Sequence, residues 1–418
     1  MKQLSFVVNW YFKLLPLAPL ICMIDYYTVH QGFRKLYGTS IMAVGIAILL
    51  VKGLKKSKIH YHIFLGFLVY LYYIIWDVIN QLDTYQRKGF VYDFITNPYL
   101  QLVFLLFVID NLIIFKKDVV LIVKILKGVM LAAGVVSIIQ LISDPFFLTP
   151  SSISEFSVGA GLQENVFEVR RVSLFGFTGR MDVSLSMIPV LAIIVSFGLK
   201  EYNRIEYLYL IIGGIIAFAT NSRYVQVAYV FCWFPVIFSG RFSETIKRML
   251  LIPAFALLAY LVIQIVGFDL HGYIEERILS DSASTRVLAY EMLVRFFPDN
   301  PLFGTGFNMT DELEIAIGGR SSQIHVGYFA HLFSYGLVGS ILAFGFWFSI
   351  QYRLYKHALK THFWGSFIGF LTFTWANVTL VYYIIFTFGM ALAFLFDKYY
   401  ISEYEKQLKG KQDDAEGN

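Results

Sequence analysis

The chain has 418 residues, of which 57% are hydrophobic and 15% charged, with a formal net charge of +5. Soluble domains run nearer about 45–50% apolar and about 25% charged, so this composition excludes a water-soluble enzyme, a nuclear protein and a secreted domain. Its lysines fall in short blocks between apolar runs rather than on one basic face, which argues for a membrane and against nucleic acid.

A bilayer-crossing helix needs roughly 20 mostly apolar residues. Such runs occur at 6–24, 38–54, 60–79, 98–115, 119–142, 181–199, 205–220, 224–239, 249–267, 327–350, 363–378 and 380–397. They predict an all-α polytopic membrane protein with about 12 transmembrane helices. The first run lacks a small-residue cleavage site and carries Lys13, so it reads as a retained span rather than a signal peptide. Long continuous runs exclude an outer-membrane barrel, whose strands alternate over segments of about ten residues. Residues 1–404 read as a single transmembrane domain, and 405–418 as a polar, disordered cytoplasmic tail.

Basic residues in the short loops set the orientation. Lys52, Lys55, Lys56 and Lys58, then Lys116 and Lys117, Lys200 and Arg204, Arg241, Lys247 and Arg248, and Arg353, Lys356 and Lys360 all share one face if both termini are cytoplasmic. Two long segments, 143–180 and 268–326, then face outward and form the candidate active site. They carry Arg170, Arg171, Arg180, Arg277, Arg286, Arg295 and Arg320, and no lysine. Arginine presents a fixed fork of donors that grips a phosphate at two points, which lysine cannot do. The plainer alternative is that these arginines pair with nearby acids or reach toward lipid headgroups.

Within the second outer segment, Asp281-Ser-Ala-Ser-Thr285 offers capping side chains, and Arg286 to Phe297 reads as a short amphipathic helix stopped by Pro298 and Asn300-Pro301. Gly304 and Gly306 follow in a tight turn. Arg286 has no acid three or four residues away and sits at a helix start, where free backbone N–H groups attract anions. Arg295 follows Glu291 by four and reads as an intrahelical partner. Arg223, after Asn221-Ser222, stands at the mouth of a span, where an interfacial anchor and a substrate contact fit equally well. His325 precedes a span and offers a base near neutral pH, whereas His331 reads as packing. Lys13, Asp110 and Lys124 lie in or near spans without an evident pairing among them, and Cys22 and Cys232 lie in apolar runs that offer neither a disulfide nor a zinc site.

The stretch from Ser284-Thr-Arg286 to Asn300-Pro-Leu-Phe-Gly304-Thr-Gly306 resembles the outer-loop motif of O-antigen polymerases and O-antigen ligases, in which an arginine opens a helix ending in Asn-Pro-Leu-x-Gly-x-Gly. His325, eleven residues before Gly336-Leu-Val-Gly339, is similar to the family's histidine. Asn221-Ser222-Arg223 and Arg171-Val-Ser-Leu-Phe-Gly176 resemble two further arginine elements. Val326 stands where the family usually has Asn, Ser334-Tyr335 where it has an acid, and Thr178-Gly-Arg180 where Asn-Pro or Glu-Pro is expected.

The resemblance implies a glycosyltransferase without a metal or other cofactor, facing the periplasm or cell exterior from the bacterial inner membrane. Its donor would be an undecaprenyl-pyrophosphate-linked glycan and its acceptor another lipid-linked repeat unit. Arg223, Arg286 and His325 would be catalytic, and Arg170, Arg171, Arg180 and Arg320 would bind substrate. A chain-length regulator is the partner such an O-antigen or capsule polymerase implies. A ligase using lipid A core as acceptor shares the same donor motifs, and a lipid-linked oligosaccharide flippase is the alternative of another class.

Overall fold

The computed structural model of the chain describes residues 10–17, 32–53, 56–88, 97–149, 171, 173–174, 180–203, 205–238, 290–291, 293–295, 297–304, 327–376 and 388–416. Among these residues the fold is entirely helical. A helical stretch at 10–14 tightens into a 3₁₀ turn, Leu15–Leu17, at Pro16. Then come α1 (Gly32–Lys52), α2 (Tyr61–Lys88), α3 (Pro98–Asp110), α4 (Lys116–Ile142), α5 (Arg180–Glu201), α6 (Tyr207–Ala219), α7 (Arg223–Phe231) and α8 (Phe234–Phe238). After a short helical piece at 293–295 and a 3₁₀ turn (Phe297–Asp299) come α9 (Gly327–Thr361), α10 (Gly365–Ala376) and α11 (Phe388–Glu416).

The centre of the bundle is α5. Met187, Ile188 and Val190 to Val195 are all completely buried, so this helix is enclosed on every side. Small residues let its neighbours approach: a Cβ on Gly369 of α10 would come within 3.0 Å of Pro189, and one on Gly365 within 2.8 Å of the Ala192 carbonyl. Gly134 of α4 likewise receives Ile212 of α6. By contrast α4 and α9 each present a row of exposed apolar side chains, including Leu131, Val135 and Ile142, and Ile341 and Phe348. Among the described residues, α4 and α9 are long and apolar enough to cross a membrane, and several shorter apolar helices pack beside them. Together with the composition, this is an integral membrane protein.

Several expected boundaries move. The run 98–115 stops being helical at Asp110, because the Asn111 side chain donates to the Phe107 carbonyl and also clasps the Lys58 backbone at 2.9 and 3.0 Å. The run 224–239 breaks at Cys232-Trp233 into α7 and α8. Arg353, Lys356 and Lys360, expected on a loop, continue α9. The tail from 405, expected to be disordered, is helical through Glu416. Its Glu, Lys and Gln residues are good helix formers, and elongating a packed helix needs no new nucleus. The expected span 249–267 and the rest of 6–24 lie outside the described residues, although Phe12 and Leu15 of the first run join the core.

Charges gather at one end. Lys13 meets Asp118 at 2.8 Å, Lys116 meets Glu201 at 2.7 Å, and Lys127 meets Glu206 at 2.8 Å. Arg353 of α9 reaches Asp110 of α3 at 2.8 Å, contacts His62 of α2, and lies 3.9 Å from Asp397 of α11. His357 closes the cluster on Asp397 at 2.9 Å. Lys13 and Asp110 are thus each paired, not with one another or with Lys124 but with Asp118 and Arg353, residues far away in sequence.

Candidate functional site

The opposite end, where α4 and α6 finish and α7 and α9 begin, holds those of the elements singled out for chemistry that lie among the described residues: Arg171, the start of α7 at Arg223, and the 300–304 turn with the Gly336 element. Arg171 is buried there. Its Nε donates to the Gln140 carbonyl of α4 at 2.7 Å, and burial lowers the pKa of its guanidinium from the usual value. Two residues on, the Ser173 backbone N–H donates to the Gln140 side chain at 3.0 Å, and its hydroxyl to the Ala133 carbonyl at 2.8 Å. A segment without regular structure is thus sewn onto the last turns of α4, and Arg171 becomes part of the wall.

Arg223 opens α7. The link from α6 is short: Thr220 ends that helix, Asn221 takes a left-handed φ of 48°, and Ser222 is the N-cap. The Ser222 side chain makes no capping hydrogen bond, so the first N–H groups of α7 are not covered by it. Tyr224, the next residue, donates its hydroxyl to the Thr372 carbonyl of α10 at 2.6 Å. Tyr328, three residues after His325, donates to the Thr374 carbonyl at 2.9 Å. Carbonyls two residues apart on a helix lie about 200° apart around it. The starts of α7 and α9 therefore attach to different faces of the last turns of α10.

The third component is the turn that closes the second outer segment. Gly336 interrupts α9 with φ 61° and ψ −164°, a conformation open essentially to glycine alone. The break frees the N–H groups of Leu337 and Val338, and these donate to the carbonyls of Pro301 and Leu302 at 2.9 and 3.0 Å. Gly304, with φ 79°, lies directly on the break: a Cβ there would come within 2.5 Å of the Gly336 nitrogen. So Asn300-Pro-Leu-Phe-Gly304 and Gly336-Leu-Val-Gly339, two elements read separately in the sequence, meet backbone to backbone. Pro298 falls in the 3₁₀ turn that ends the short helix, as its position predicts.

Residues 208–344 match the sequence model of the O-antigen ligase family. The matched third of the chain contains Arg223, Arg286, Gly304, His325 and Gly336. It bears out, over that segment, the resemblance to O-antigen polymerases and ligases, and it points to enzymatic work on lipid-linked glycans in polysaccharide synthesis. No curated protein matches the chain.

Arg170, Arg286, Arg320 and His325 lie outside the described residues, and of Arg180 and Arg223 the backbone alone is described. Arg171, Arg170 and Arg180 also precede the matched segment. His331 belongs to the packing: it is 3% exposed, its Nδ1 pairs with the Gly327 carbonyl at 3.0 Å, and its Nε2 meets the Tyr99 hydroxyl at 3.3 Å. With the carbonyl as acceptor, Nδ1 carries the proton and Nε2 accepts from the tyrosine. Tyr224 and Tyr328 escape a reading of the sequence, because an aromatic residue at a span edge is ordinarily a membrane anchor.

Proposed function

We propose that this chain is a bacterial surface-polysaccharide polymerase, transferring a growing glycan from undecaprenyl pyrophosphate to a sugar hydroxyl of another lipid-linked repeat unit. The observation that supports this best is the meeting at one end of the bundle of three elements: the start of α7 at Arg223, the start of α9 just after His325, and the turn that follows Arg286 in the chain. On this reading that end faces the outer leaflet of the cytoplasmic membrane.

Pyrophosphate is a weakly basic leaving group, so its departure needs no proton donor. It needs fixed positive charge where the phosphate oxygens gain negative charge. Arg223 and Arg286 supply that charge as a clamp, aided by the first N–H groups of α7. Arg171 and its neighbours Arg170 and Arg180, with Arg320, shape the approach. His325 orients or deprotonates the acceptor hydroxyl. No metal or other cofactor enters this scheme.

A ligase reading, in which the glycan passes to lipid A core or another acceptor, draws support from the description of the matching family as O-antigen ligase. Size-resolved glycans and lipid-linked intermediates from a deletion strain separate the readings. Glycans held at one repeat on their normal anchor are expected for the polymerase. Full-length chains stranded on undecaprenyl pyrophosphate would replace it with the ligase, and single repeats trapped facing the cytoplasm would replace it with a flippase. Arg286→Ala at matched expression is expected to reproduce the deletion profile; near-wild-type glycans would remove the clamp assignment.

A further inference from the structure

The break at Gly336 frees carbonyls as well as N–H groups, and α2 satisfies two of those carbonyls. The indole Nε1 of Trp76 donates to the Ser334 carbonyl at 3.0 Å. The Tyr72 hydroxyl donates to the Tyr335 carbonyl at 3.0 Å, and the backbone N–H of Gly339 faces the same hydroxyl. Tyr335 and Gly339 are the i and i+4 partners that a continuous helix would join directly. Tyr72 has been inserted between them, a recognised cause of helix breaks. Its ring occupies the space above Gly339, where a Cβ would come within 2.5 Å of the ring. Trp76 also touches the docked turn, its ring 5.7 Å from that of Phe303.

Two arrangements compete here. In a continuous α9, Leu337, Val338 and Gly339 would donate to Phe333, Ser334 and Tyr335. In the broken one, the turn accepts from Leu337 and Val338 while α2 donates to Ser334 and Tyr335. Ser334 and Tyr335 are 7% and 1% exposed, so neither carbonyl has water as a ready substitute. Each side of the break thereby favours the other. Donors from α2 free the N–H groups that bind the turn, and the turn in binding them leaves the carbonyls to α2.

We propose that Trp76 and Tyr72 are positioning residues for the glycosyl transfer: by holding α9 broken, they fasten the turn that follows Arg286 against the helix that follows His325. This rests on the polymerase or ligase reading above. Neither residue touches the reacting groups, and both act through the backbone of α9. Removing one donor leaves a buried carbonyl unpaired, which tilts the balance toward the continuous helix by about tenfold or more.

The test uses the full chain in lipid nanodiscs, with Cys22 and Cys232 replaced by serine, D299C and F348C carrying spin labels, and glycan transfer assayed on the same preparations. A single narrow distance is expected without further substitution. Y72F and W76F are each expected to add a second distance of comparable weight and to lower kcat about twofold, the loss expected when a tenfold tilt leaves the two forms about equally populated, with donor KM nearly unchanged. Joining L302C to L337C with a short bifunctional thiol reagent, in a separate series without the labels, is expected to restore kcat in both variants. Unchanged distances and kcat in Y72F and W76F would overturn the proposal. So would a loss of kcat that the tether does not restore, because the two residues would then serve stability alone. A parent protein with no transfer activity at all would sink the functional reading together with the positioning role, whereas a parent and variants that transfer equally would sink the positioning role alone.

Discussion

The two ends of α9 are held by different chemistry. At Gly336 the helix is fixed by neutral backbone groups meeting other backbone and two aromatic donors. At Arg353 and His357 it is fixed by polar side chains, one of them the Arg353 guanidinium, reaching α2, α3 and α11. Backbone docking demands glycine and tolerates almost no change in shape, but it stores little energy per bond. Ion pairs remote from bulk water are the reverse: indifferent to fine backbone shape, and costly to leave half made. One end is built for placement and the other for cohesion.

Gly336→Ala should break the first end most sharply. The positive φ with extended ψ costs an alanine about 1–3 kcal/mol, and its Cβ would meet the Gly304 nitrogen within 2.5 Å, backbone that cannot turn aside. Glycan transfer is expected to fall at least 100-fold, with the folded protein still recovered at near-normal yield. Transfer within threefold of wild type would mean that docking of the turn is dispensable.

Arg353→Met should do the opposite. It strands Asp110, 3% exposed, without its bidentate partner, at a cost of about 3 kcal/mol. Thermal unfolding in detergent is expected to shift down by several degrees, while transfer per folded molecule stays within twofold. Adding Asp110→Leu is expected to recover most of the loss, since a buried ion pair replaced by apolar groups is often neutral. If the double variant is no more stable than the single one, the cohesion assigned to this pair is misplaced.

A finer probe lies between the two ends. The Tyr229 hydroxyl of α7 donates to the Leu210 carbonyl of α6 at 2.7 Å. Tyr229→Phe is expected to cost about 1 kcal/mol and to lower transfer less than threefold, because α7 keeps its hold on α10 through Tyr224. Smallest of all, truncation after Tyr404 removes exposed helix and is expected to change stability by less than about 0.5 kcal/mol.

How much of this could be read in the chain follows the same division. Gly304 and Gly336, and the arginine and histidine placed around them, stand at fixed short spacings, so a local motif is enough to expose them. The Arg353–Asp110 pair spans 243 residues and leaves no local trace. Trp76 and Tyr72 are hidden for another reason: aromatic residues in a span are normally ballast for packing, and nothing in the sequence marks a donor aimed at a carbonyl 258 or 263 residues away. The helical tail reads as disordered because the Lys, Glu and Gln that favour a helix are the residues that also make disordered segments.

The tail carries a practical consequence. From Tyr404 to Glu416 the helix α11 runs on with no apolar face to bury, so at about 1.5 Å per residue it stands roughly 18 Å clear of the bundle as a stiff mast. A thiol placed at Lys409 would ride on that mast at a known height and bearing. A single membrane-impermeant dye, offered first to intact cells and then to inverted vesicles, would read from it the orientation of every helix in the bundle at once.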